Sequence, residues 1–413
     1  MSLALMAVFM VSCSNEDMFD ESINTQAELS PHRITVEQAK QNALNFVEKY
    51  RNGTRANHTS LEISEVKAIG KSGEFTRSSG ELINLDSLFY VINFANDEGF
   101  VIAASDDREE PVFAYVEEGT FNENEPMEGG FCDFMNALID NQVNCRAGTY
   151  EENILPDDRM IVDDGSNYRP DKFEVMTPLL VTKWGQEEYW GYNRYCPEGT
   201  LTGCVPTAMA QICSFLKKPT RVSWFHNGDW GESIINWDEI LNECQFGGNP
   251  SSQSETCNQI AHLMRFWGVA FDAEYTSDGT GVNSDNAISK IRELGFNATK
   301  LTDYNADNVL NDLKKGDRII YMRGNDDYHY NLIFFKTYTG GHAWVVDGYI
   351  HSRKNNWESI YLHCNWGWYG RKNGYFLSSV LDAWEGPAYE DHEVTTRANY
   401  HYQYELKTST ISK

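Results

Sequence analysis

The stretch Leu201–Pro219, LTGCVPTAMAQICSFLKKP, admits few structures. Thr202 and Gly203 are turn residues. Ala208, Met209, Ile212 and Leu216 recur at helical spacing and predict one apolar face. Pro206 is tolerated only in a first turn, where its missing N–H costs nothing. Lys217 and Lys218 suit the negative end of the helix dipole, and Pro219 stops the helix. The pattern therefore predicts a helix beginning at Cys204. Unpaired N–H groups and the positive dipole end favour a thiolate at that position, which is where a nucleophile belongs. Against this, cysteine is among the most buried residue types, and a lone one is most often a small core hydrophobe.

Two later segments bear on the choice. Gly340-Gly341-His342-Ala343-Trp344-Val345-Val346-Asp347-Gly348-Tyr349 places a histidine between a glycine pair and an apolar, strand-like run. Tyr361-Leu362-His363-Cys364-Asn365-Trp366-Gly367-Trp368 ends another such run on an Asn-Trp pair. Cysteine, then a distant histidine, then asparagine is the chain order of papain-like thiol proteases. Together with Trp184-Gly185-Gln186, Tyr192-Asn193, Cys196-Pro197, Thr202-Gly203-Cys204-Val205, Ala208–Ile212, Asn236-Trp237 and Asn373-Gly374-Tyr375-Phe376, the set resembles the streptopain (C10) family of cysteine peptidases, in its interpain-like branch. Further upstream, Phe89–Phe121 resembles that family's prosegment through Gly99-Phe100-Val101-Ile102 and Ser105-Asp106-Asp107.

The resemblance implies an α+β, papain-like fold, with helices first and an antiparallel sheet afterwards, preceded by a small α+β prodomain that inhibits the enzyme. It implies a cysteine endopeptidase made as a zymogen, acting on proteins or peptides through an acyl-enzyme and needing no cofactor or metal. Cys204 is then the nucleophile, and His342 its thiolate–imidazolium partner and the proton donor to the leaving amine. Asn365 orients the imidazole and Trp366 shields that contact from water. Gln186 donates its side-chain amide to the oxyanion beside the Cys204 backbone N–H. Two other readings stay open on the residues: a transglutaminase or amidase on the same fold, and an adhesin lipoprotein that keeps a dead one. The remaining histidines carry no catalytic role. His363, two residues from Asn365, is expected on the same side of its strand.

Composition narrows partners and compartment. Among 413 residues, 61 acids face 34 bases, a net charge of -27, which argues against nucleic acid and anionic headgroups. No apolar run is long enough to span a bilayer. None of the nine cysteines forms a CxxC pair, so zinc and thioredoxin readings lack support.

Domain boundaries follow the pattern. Residues 1–13 read as a lipoprotein-type signal segment. Met10-Val11-Ser12-Cys13 resembles a bacterial lipoprotein box, with Cys13 as the lipid-bearing residue and hence a membrane anchor. Residues 14–30 read as an acidic, flexible tether. Residues 31–165 are the expected prodomain, opening on a capping box at Thr35–Gln38. Residues 166–413 are the expected peptidase domain, reached through a linker at Asp157–Lys172. Asp106-Asp107 is expected to be a solvated turn. Strands are expected from Arg318 onward, the last at Tyr400–Leu406. A cell-surface, outer-membrane or secreted location follows from the signal segment.

Overall fold

The computed structural model describes residues 32–54, 60–70, 85–125, 127, 129–187, 189–277, 279–324, 341–354, 357–381 and 406–413, except 148–169, together with the short pieces 12–13, 75–76 and 82–83. Residues 1–11 of the expected signal segment, the tether, most of the linker, and the Tyr400–Glu405 part of the last expected strand lie outside these residues.

Helix α1 (Val36–Thr54) begins as its sequence dictates. The Gln38 N–H donates to the Thr35 hydroxyl at 3.3 Å, and the Thr35 N–H donates to the Gln38 side chain at 2.9 Å. Its apolar face buries Ala39, Ala43, Phe46, Val47 and Tyr50. Four antiparallel strands follow, Ile63–Ile69, Phe89–Phe94, Phe100–Ala104 and Val112–Val116, and then helix α2 (Gly129–Ala147).

These strands do not close on themselves. Val112–Val116 pairs antiparallel with Gly374–Leu377, with Tyr115 opposite Tyr375. The sheet then runs on through Trp357–Asn365, His342–Lys354, Arg318–Gly324 and Lys407–Ser412. The N-terminal and C-terminal halves thus share one continuous sheet. Ser12–Cys13 lies at its far edge, paired with Ile63–Ile69. Lys172–Met176 pairs with the second half of His342–Lys354, so the expected linker ends where a strand starts.

Helices cover both faces. On one, α1 and α2 pack through Phe46 against Tyr361 (5.0 Å between ring centroids) and Phe134 against Phe376 (4.9 Å). On the other lies α3 (Cys204–Leu216), a helix buried along nearly its whole length, with α4 (Trp237–Cys244) and α5 (Glu255–Ala270) beyond it. Gly203 starts α3 at φ +93, a conformation that glycine adopts without strain. Lys217 ends it in the left-handed conformation. Side chains alternate across the sheet. Ala343 and Val345 join the α3 core, whereas Trp344 and Val346 join the α1/α2 core.

Two expectations are corrected, and one element was not expected. Asp106 is fully buried. Its carboxylate accepts two bonds from the Arg108 guanidinium, each 2.9 Å long, and pairs with Arg146, because a charge so placed needs cationic donors. The stretch after α3 forms a hairpin, Arg221–His226 with Asp229–Ile234, that alternation alone did not mark among its exposed aromatics. The C-terminal strand lies at Lys407–Ser412, where Thr, Ser and Ile alternate between its neighbours.

Candidate active site

Cys204 is the first residue of α3, and its sulfur accepts a hydrogen bond from the Ala343 N–H. Burial raises its pKa, and the surrounding backbone N–H groups offset only part of that. Desolvation therefore outweighs the helix N-terminus here, contrary to the thiolate expected from position alone. His342 is buried at the start of its strand. Its Nε2 meets the Trp366 carbonyl at 2.9 Å, and its ring lies between Trp344 (6.0 Å) and Trp368 (6.2 Å), nearly parallel to both. Burial lowers its pKa to about 4, against a small opposing effect of that carbonyl bond, so the imidazole is neutral at pH 7.

Cys204 and His342 are neighbours through the backbone but do not form an ion pair. The strand explains why. Ala343 faces α3, so the residue before it faces α1 and α2. The N-terminus of α2 sits on the imidazole: a Cβ on Gly129 would lie 2.7 Å from His342 Nε2 and 2.6 Å from Trp368 Nε1. One residue on, a Cβ on Gly130 would lie 2.2 Å from the Trp366 ring. Only a Gly-Gly pair fits there.

The other expected residues divide. Gln186 is buried beside the turn that precedes Cys204, its carbonyl accepting the Thr202 N–H at 3.1 Å. Trp366 is buried, with its indole N–H donating to the Lys372 carbonyl at 2.9 Å. Asn365 does not touch His342. It stands opposite Val345, hence on the α3 side, and exchanges amide hydrogen bonds with Gln211 of α3 at 3.1 Å each way, also donating to the Thr182 carbonyl at 2.9 Å. The group on the imidazole is the Trp366 carbonyl, not the Asn365 amide.

Gln211 was not singled out from sequence. Its carbonyl oxygen also accepts the Trp184 N–H at 3.1 Å, so this one side chain ties α3, the Thr182–Gln186 segment and Asn365 together. The signal was a glutamine seven residues after Cys204, on the same face of an otherwise apolar helix.

His363 also has a role that was missed. Its Nδ1 bonds Asp347 at 2.6 Å, and its Nε2 pairs at 3.4 Å with Glu117, which follows the Val112–Val116 strand. Tyr50 of α1 donates to the same Glu117, Tyr375 packs edge-on against the imidazole at 5.0 Å, and Lys183 acts on Glu117 from farther off. Burial works against the imidazolium, but Asp347 and Glu117 overcome it and raise the pKa of His363 to about 9. Burial likewise works against the Glu117 carboxylate, and His363 and Tyr50 overcome it, leaving its pKa lowered. Glu118 pairs with Lys183 at 2.5 Å, and Lys372 donates to the Thr120 carbonyl at 2.9 Å. Acidic groups of the N-terminal half thus meet cations of the C-terminal half. Among the described residues, no group of three or more His, Cys, Asp or Glu could hold a metal ion.

Fold and site define a papain-like domain with a thiol at a helix start and its histidine covered by a preceding domain. The comparisons agree. The Peptidase C10 family model matches residues 184–376, and the Spi protease inhibitor model matches residues 31–142. Streptopain of Streptococcus pyogenes is 23% identical over 375 residues, 84% of this chain and 85% of that protein. The thiol protease/hemagglutinin PrtT of Porphyromonas gingivalis is 24% identical over 393 residues, 84% of this chain and 39% of that longer protein. A fragment of Prevotella intermedia prointerpain A shares the fold with a TM-score of 0.53 at 20% identity, over 82% of this chain and 98% of that fragment. The chain belongs to the peptidase C10 family: it is a cysteine peptidase made as a zymogen behind an inhibitor-type prodomain.

The charged seam predicts a pH dependence. His363 has a folded pKa above its unfolded value of about 6.5, so its contribution is full below that pH and is lost as pH rises through about 9. The zymogen's melting temperature should therefore decline between those values. Glu117→Gln should lower the plateau and shift the decline to lower pH. A melting temperature unchanged over this range, or an unaltered profile in the variant, would show that the pair does not stabilise the zymogen.

Proposed function

We propose that this chain is an exported endopeptidase in which Cys204 attacks the peptide carbonyl. The observation that carries the reading is the packing of Cys204 at the start of α3, with Gln186 folded back over its turn and His342 one residue from the Ala343 N–H at its sulfur. In the zymogen His342 is held under α2. Departure of residues 31–165 would free it to swing to Cys204, form the thiolate–imidazolium pair and protonate the leaving amine. Gln186 and the Cys204 N–H would hold the oxyanion. Trp366 would shield the imidazole, while Asn365 would act on it indirectly, by fixing the turn that carries Trp366. Protein or peptide substrates follow from this chemistry, with cleavage ahead of residue 166 in maturation.

Cys204→Ala should fold, hydrolyse no casein and remain uncut unless active enzyme is added. Residual self-processing by this variant would place the nucleophile elsewhere.

The sequence around Cys13 supports a lipid-anchored mature form at the cell surface. Mass spectrometry of the mature N-terminus should find Cys13 diacylated, and an unmodified N-terminus downstream of it would mean release without an anchor. Among the described residues, no helix is long and apolar enough to cross a membrane.

A further inference from the structure

The turn between Asn365 and Asn373 carries more than the histidine's partner. Four residues after Asn365, Tyr369 stands at φ +57, a region that non-glycine residues seldom occupy. Its ring stacks on Trp190 (5.1 Å, 28°) and Tyr192 (6.1 Å, 19°). Its hydroxyl accepts the Glu187 N–H at 3.0 Å and donates to the Glu187 carbonyl at 2.7 Å. On the other side of Gln186, Gly185 runs against the same ring, so closely that a Cβ there would lie 2.5 Å from Tyr369 Cε2. One side chain therefore fixes the backbone both before and after Gln186. The Gln186 carbonyl is held in turn, accepting the Thr202 N–H at 3.1 Å.

An oxyanion donor contributes only when it is aimed before the charge develops, and its supporting residues set that aim. We propose that Tyr369 is a positioning residue for the Gln186 amide. The backbone strain at Tyr369 fits a side chain held in place for a purpose beyond packing. Because Trp366 and Tyr369 belong to the same turn, the contact of the imidazole and the aim of the oxyanion donor are set by one piece of backbone. This inference rests on the oxyanion role of Gln186, and its test separates the two.

Tyr369→Phe keeps the ring stack and removes both hydroxyl bonds. Full-length wild type, Tyr369→Phe, Gln186→Ala and the double variant are matured with tagged wild-type enzyme, which is then removed. Each is assayed on a fluorogenic peptide, with iodoacetamide labelling of Cys204 to count intact sites. Removing one oxyanion donor lowers kcat by about 10²–10³. Misaiming it should forfeit part of that, so Tyr369→Phe is expected to lower kcat about tenfold with KM nearly unchanged and labelling unaltered. In the Gln186→Ala background the same change should do nothing further. Gly185→Ala, which pushes the ring away from the opposite side, should reproduce the loss. Full kcat in Tyr369→Phe or in Gly185→Ala would overturn the proposal. So would an equal loss with and without the Gln186 amide, since Tyr369 would then act by another route. If Gln186→Ala alone keeps full kcat, the oxyanion role of Gln186 falls, and Tyr369 has no donor to position.

Discussion

Strand alternation at His342-Ala343 is the constraint on which the zymogen's state depends. Ala343 faces α3, because its side chain belongs to that core. His342 then faces the other way, toward α2 and the tryptophans. Cys204 and His342 are thus adjacent in the fold, yet on opposite faces of one sheet. Each is held in its neutral form: desolvation pushes the thiol up and the imidazole down. An uncharged pair cannot start the reaction, so latency needs no distortion of α3 itself.

The prodomain maintains this arrangement by becoming part of the enzyme's architecture. Its last strand continues the catalytic sheet, its helices complete an aromatic core with Tyr361, Trp366 and Phe376, and its acids neutralise His363 and Lys183. Apolar burial contributes roughly 25 cal/mol per Å², so a shared core of this kind binds more strongly than the few exposed ion pairs at its rim. The buried His363–Glu117 contact is different in kind. Breaking one side of it would leave an unpaired charge, which makes it a determinant of register more than of affinity. On the α3 side, Gln211 and Asn365 perform the equivalent task through neutral amides.

Much of this was legible in the sequence. The turn, the helix from Cys204 and its end ahead of Pro219 followed from local rules, as did the capping box before α1. The papain-like plan and the prodomain followed from motif order. What could not be read were properties of faces and of burial. Alternation says that Asn365 and His342 differ in side only once their register is known, and that register depends on the Val345–Asn365 pairing. The protonation of Cys204 was misjudged because the dipole is visible in sequence and desolvation is not. Asp106 was misread for the same reason: its burial is not visible in sequence, and one of its two arginine partners, Arg146, lies 40 residues away. Tyr369 and Glu187 are separated by 182 residues, and nothing local to either suggests the contact.

The central claim is that the prodomain keeps Cys204 a neutral thiol by holding His342 on the far face of the sheet. The pH dependence of Cys204 alkylation by iodoacetamide, read at that peptide by mass spectrometry before and after maturation, tests it most directly. The zymogen should react only in alkaline solution, above the ordinary thiol range, whereas the mature enzyme should react well below neutrality as the ion pair forms. Identical profiles with a low apparent pKa in both forms would contradict the account.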